Sequence, residues 1–117
     1  MAEVRDLDVM RPPARPFKLH GEVIDVSFIP SAITFDVQPI MIAMSKLDTK
    51  KLVKDTNEQA KAFEISIQLC AVFCEHDHPE MTEAWFRAET NVEQVGPLAR
   101  AIQEAYTHAY DGVDPKN

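Results

Sequence analysis

TNEQAKAFEISIQLCAVFCEHDH, residues 56–78, is the stretch whose reading decides the fold. At about 100° per residue, Phe63, Ile67, Cys70 and Cys74 fall in one narrow stripe, while Ile65, Leu69 and Val72 fall on another side. A helix that is apolar on two sides must be packed from both, so this one is expected at the centre of the domain. Its start is legible too. Thr56, with Gln59 three residues on, has the form of a capping box, a hydroxyl at the N-cap answered by a glutamine at N3. The helix is expected to run to about Glu75, leaving His76, Asp77 and His78 as polar helix-end residues before Pro79.

The same stretch raises a chemical question, because Cys70, Cys74, His76 and His78 form the chain's one compact set of soft metal ligands. Cys2His2 is a legitimate zinc donor set. Structural zinc sites, however, commonly join two separated ligand pairs across a loop, and here all four donors crowd into one short stretch. His76 would also point away from the cysteine stripe if the helix continued through it. Reduced cysteine is among the most commonly buried residues and packs as a small hydrophobe. The reading adopted is a pair of reduced core thiols with no metal and no cofactor. The alternative is a small metal-binding helical regulator built on those four residues.

Working outward, residues 1–16 carry charges, small residues and the run RPPARP, and read as an extended proline-rich arm. In FKLHGEVIDVSFIP, Phe17 and Leu19 alternate with polar neighbours, Gly21 with Glu22 marks a turn, and β-branched residues follow: a β-hairpin signature. A lone hairpin is marginal in water, so Phe17, Leu19, Ile24, Val26 or Phe28 must cover a helix. A first helix is expected from Thr34 or Asp36, either of which can cap it, with Pro39 in its first turn and Ile40, Ala43, Met44 and Leu47 at helical spacing. After the central helix, Pro79 suits the first position of a short helix through Met81, Trp85 and Phe86. Asn91 with Gln94 opens a further turn, Gly96 and Pro97 interrupt it, and a final helix runs on through Leu98, Ile102, Tyr106 and Ala109. Residues 111–117 read as a flexible tail. The fold class is therefore mainly α: a small helical domain, residues 17–110, with an N-terminal β-hairpin.

With 117 residues and only three glycines, the chain is sized for one domain, and a turn-rich β architecture is disfavoured. Twelve basic and nineteen acidic residues give a net charge of −7, which argues against nucleic acid or an anionic membrane as partner. The charge is also uneven. Five lysines stand between Lys46 and Lys61, whereas residues 62–117 hold ten acidic and three basic side chains. No apolar run is long enough to span a bilayer and MAEVRDLD lacks a signal-peptide pattern, so a cytoplasmic location with free thiols is expected. Three isolated glycines make no phosphate loop, no GxSxG elbow or HExxH pair appears, and the acids near Glu75 to Glu83 suit helix ends better than an acid–base pair. No enzyme is expected. Function then falls to surfaces, and Met41, Met44, Trp85, Tyr106 and Tyr110 are the candidates richest in the adaptable apolar and aromatic character of partner sites, although helical spacing predicts core packing for the same residues.

The arm and strand RPPARPFKLHG, the strand end IDVSFIP, the helix start AITFDV and the closing MTEAWFRAETNVEQVGPLARAIQEAY together resemble the tail assembly chaperones of long-tailed, siphophage-type bacteriophages. In that family a proline-rich start leads into a short β element around a K-x-x-G turn, here Lys18 to Gly21, then a proline and an apolar helix, here Pro30 and Ile33 to Leu47. A closing helix follows, here Val92 to Tyr106. Thr49 to Glu75 matches only as a helix. The resemblance implies a non-enzymatic factor in the host cytoplasm that binds the tape measure protein, keeps it soluble before the tail tube polymerises, and is missing from the mature virion. It further implies the major tail protein and a homo-oligomer as additional partners, and DGVDPKN as the place where a frameshifted longer form would extend. A structural tail or head–tail component retained in the virion is the alternative within the same setting.

Overall fold

The computed structural model describes residues 3–111, with side chains through residue 108. Residues 1–2 and 112–117, with most of the expected tail, lie outside the described residues, as does the side chain of Tyr110. After a single 3-10 turn at Leu7–Met10, whose start is capped by the Asp6 carboxylate, the chain enters strand β1 (Pro16–Leu19), which pairs antiparallel with β2 (Glu22–Asp25). The arm boundary therefore falls one residue early, since Pro16 opens the strand opposite Asp25. The turn also shifts by one residue from the expected Gly21 and Glu22. Glu22 pairs with Leu19, and the two central residues are His20 and Gly21, at φ 51° and 79°. A two-residue hairpin loop with positive φ at both positions matches the right-handed strand twist. Glycine takes the second position freely, while His20 is held in the first by its ring. The His20 Nε2–H donates to the Glu89 carbonyl at 2.7 Å, and the ring meets Trp85 edge-on at 4.9 Å.

A 3-10 turn at Ser31–Ile33 leads into helix α1 (Thr34–Ser45). Neither expected cap is used: Ile33 occupies the N-cap without a side-chain bond, and the Thr34 hydroxyl donates backward to the Pro30 carbonyl at 3.2 Å. Pro39 consequently sits at the sixth residue instead of in the first turn. It is tolerated there because it lies on an exposed position of the helix. Helix α2 (Thr56–Glu75) has the expected extent, but its cap is Asp55, whose carboxylate accepts from the Asn57 N–H at 2.8 Å. Gln59 does not answer Thr56. Its side-chain amide donates to the Leu52 carbonyl at 2.9 Å, tying the helix to the preceding loop.

Helix α3 (Glu83–Glu89) begins four residues after Pro79, because Thr82 supplies the cap by accepting from the Trp85 N–H at 3.3 Å. Met81 is buried ahead of the helix, not within it. Helix α4 (Val92–Asp111) opens with the anticipated reciprocal pair, in which the Gln94 N–H donates to the Asn91 side chain and the Asn91 N–H to that of Gln94, each at 3.0 Å. Gly96 and Pro97 do not interrupt it. Pro97 again occupies the sixth helical residue on an exposed position.

Helix α2 is the centre, with α1, α3 and α4 all packed on it. Both of its apolar sides are buried, through Ile67, Cys70 and Cys74 on one and Ile65 and Leu69 on the other. The hairpin contributes Leu19, Ile24 and Val26 to the same core, with Phe17 partly buried against it. Mainly α with an N-terminal hairpin is the architecture.

Candidate interaction surface

Helix α1 is apolar on two opposite sides, and α2 covers only one of them. Taking Phe35 as zero and about 100° per residue, Val37, Ile40, Met41 and Met44 lie between roughly 140° and 240°, whereas Pro39 and Ile42 return to within about 40° of Phe35. The first group is fully or partly buried against the core. The second is exposed: Phe35 at 80%, Ile42 at 48%, with Pro39 between them. A helix that is apolar all round is ordinarily enclosed, so an uncovered stripe of this kind calls for a partner. Beside the stripe, Phe35, Asp36 and Pro39 share with Val72 and Glu75 of α2, and with His76 just past its end, a surface groove of about 510 Å³. A smaller hollow between the hairpin and α4, of about 190 Å³, is lined by Phe17, Lys18, Leu19, Glu93, Pro97 and Leu98.

The sequence-derived candidates stand elsewhere. Met41 and Met44 are turned toward α2, Trp85 lies between His20 and Phe86 with ring centroids at 4.9 and 5.0 Å, and Tyr106 packs from α4. All four are partly buried against the core. They sit on three helices that each pack on α2, so only the two methionines come together on one element. The side chain of Tyr110 is outside the described residues. Phe35 and Ile42 are not among those candidates, because the spacing of Ile40, Ala43 and Met44 marks only one side of α1. The i, i+4, i+7 spacing of Phe35, Pro39 and Ile42 was equally available in the sequence and marks the second side.

The four candidate metal ligands separate by burial. Cys70 and Cys74 are reduced and almost wholly enclosed, and the Cys70 thiol faces the Val95 carbonyl at 3.9 Å. Burial raises both thiol pKa values: Cys74 to about 12, with nearby Asp77 adding to the effect, and Cys70 further still, with Cys74 adding to it. The imidazoles lie beside carboxylates instead, the exposed His76 by Asp77 at 4.0 Å and the partly buried His78 between Glu22 at 3.9 Å and Glu80 at 4.0 Å. Among the described residues, no three His, Cys, Asp or Glu side chains gather as a metal site would require. Likewise no described helix is long and apolar enough to cross a membrane.

The chain matches no family model, no curated protein and no solved structure. What the surface does has therefore to be read from its own chemistry.

Proposed function

We propose that this domain is a non-enzymatic tail assembly chaperone of a long-tailed bacteriophage, holding the tape measure protein soluble in the host cytoplasm until the tail tube forms around it. The observation that carries this reading is the uncovered apolar stripe of α1, Phe35, Pro39 and Ile42, beside the groove against Val72. A long helical client exposes apolar stripes of its own until it is enclosed, and a helix laid along another helix buries both. The net charge of −7 favours solubility of the complex. The resemblance of the hairpin, the first helix and the closing helix to that chaperone family supplies the identity of the client.

The test is co-expression with the tape measure protein of the same genome, followed by pull-down. Wild type should retain the client in the soluble fraction, and Phe35→Glu combined with Ile42→Glu should lose it while the domain stays folded. Failure of the wild-type chain to capture or solubilise the client would overturn the proposal. Mass spectrometry of purified particles separates it from a structural tail or head–tail role, since a chaperone is absent from them.

A further inference from the structure

We propose that the groove between α1 and α2 selects a cationic amphipathic helix, one whose apolar stripe is flanked by lysine or arginine, so that charge decides which stretch of a client is held. This selection rests on the α1 stripe being the client surface. Phe35 and Ile42 stand seven residues apart, so the stripe runs about 10 Å along α1, two helical turns. It belongs to a helix and offers no strand edge, and the element that packs on it is a second helix read through its side chains. Between Phe35 and Val72 the groove receives an apolar side chain of that helix, while its two carboxylates, Asp36 and Glu75, are both exposed. Among the described residues neither has an ion-pair partner. Asp77 adds a third acid just past α2, 4.0 Å from His76, and neither Pro30 to Ser45 nor Ala62 to Phe86 contains a lysine or arginine. The arginines of the arm are engaged elsewhere, Arg11 over the Phe28 ring and Arg15 with Glu104. The arm before them sets Glu3, Asp6 and Asp8 against Arg5, and so is not itself the cationic occupant.

The two carboxylates differ in what they do for the domain itself. Asp36 lies in the first turn of α1, where an acid complements the helix dipole and stabilises the fold. Glu75 is the last residue of α2, where the same dipole disfavours an acid, and no basic side chain shares that turn. Helix α3, by contrast, carries Arg87 in its last turn, and α4 carries His108. The end of α2 is therefore negative through its carbonyls and its side chains alike. A lysine or arginine of the occupant supplies the charge that the helix lacks, and a helix flanked by acids is repelled from the same place.

Fluorescence anisotropy with the full-length chain tests this, using three labelled peptides of about 18 residues that share one leucine stripe at i, i+3, i+4 and i+7 and differ only in the flanking residues: lysine, glutamine or glutamate. At about 50 mM salt the lysine peptide should bind about tenfold or more tighter than the glutamate peptide, and the gap should narrow at about 500 mM. Asp36→Asn with Glu75→Gln should lower affinity for the lysine peptide about fivefold. Glu89→Gln with Glu93→Gln, which removes equal charge from exposed positions outside the groove, should leave it within about twofold. Phe35→Ala should weaken all three peptides. Glu75→Gln alone should melt no lower than wild type while binding the lysine peptide more weakly, a combination that a carboxylate serving only the fold would not give. No binding of any peptide, equal affinity for all three, a loss matched by the Glu89 and Glu93 variant, or binding untouched by Phe35→Ala would each overturn the proposal. The peptides contain no tape measure sequence, so the two readings fail separately: capture of the tape measure protein without a charge ranking strikes only the selection, and a ranking without capture strikes only the client.

Discussion

At the scale of single residues, burial separates side chains that the sequence presents as equals. Met44 and Phe35 are both large apolar residues of α1, yet one is turned into the core and the other into solvent. Met44→Glu places a carboxylate against α2 with nothing to pair it, and should cost about 2 kcal/mol or more in denaturant unfolding. Phe35→Glu should stay within about 0.5 kcal/mol of wild type, since the side chain is 80% exposed. Equal costs for the two would refute the assignment of sides. The cysteines allow a pH prediction. Their folded pKa values lie above the ordinary value of 9, so the unfolded chain releases thiol protons first as pH rises. The stability this reflects is fully present below about pH 9 and is lost progressively on the way to Cys74's value of about 12. A Cys70→Ala, Cys74→Ala double variant should therefore show a shallower alkaline decline than wild type. The slope is the diagnostic quantity, because vacated core volume lowers the variant's stability at every pH. A thiol-specific reagent at pH 8 should likewise react with neither cysteine until the domain is unfolded.

At the scale of elements, existence and type were legible while starts were not, and the reason is local. Asp55 and Thr56 are both good N-caps in adjacent positions, and the sequence cannot say which carboxylate or hydroxyl meets the free N–H groups when Glu58 and Gln59 are drawn off to Asp48 and Leu52 in the preceding loop. Asp55→Ala should accordingly cost about 1 kcal/mol and Thr56→Ala much less. Thermal melts that rank them the other way would restore the capping box. The Asn91 and Gln94 pair, by contrast, has no such competitor, and it forms as written. Proline is a less dependable marker: its fit to a first turn points to a helix beginning at Pro39 and at Pro97, and in both helices it lies at the sixth residue, on an exposed position. An interior proline costs a helix about 3 kcal/mol relative to alanine, against a loss of about 0.4–1 kcal/mol from a freer unfolded chain. Pro39→Ala should thus stabilise the domain by about 2 kcal/mol while removing one link of the exposed stripe.

At the scale of the whole molecule, the central placement of α2 could be read from its two apolar stripes alone, because each stripe needs a neighbour whatever those neighbours are. Which surface remained uncovered could not be read that way, since it depends on α2 serving one side of α1 and nothing serving the other. The arm poses the same problem of placement, and it divides at Arg11. Val4, Leu7 and Val9 are exposed and Met10 half-exposed, so the segment before Arg11 adds little to the core. From Arg11 onward the chain is fastened: the Arg11 guanidinium lies over the Phe28 ring at 4.6 Å, the Arg15 side chain reaches Glu104 at 2.9 Å, and the Arg15 backbone both donates to Asp25 at 2.9 Å and accepts from Val26 at 2.9 Å. The Asp25 carboxyl is held below its ordinary pKa chiefly by that Arg15 N–H, with burial opposing and Ser27 assisting. The ion pair is half-exposed and contributes about 0.5 kcal/mol at most, so the backbone bonds that lengthen the hairpin matter more. Removing residues 1–10 should leave the unfolding midpoint essentially unchanged. Removing 1–15 should cost about 2 kcal/mol, because it takes the cation–π contact, the ion pair and both backbone bonds together. If the longer truncation melts like the shorter one, the hairpin is held by its core-facing Leu19, Ile24 and Val26 alone, and the fastening at Arg11 to Arg15 has no part in stability.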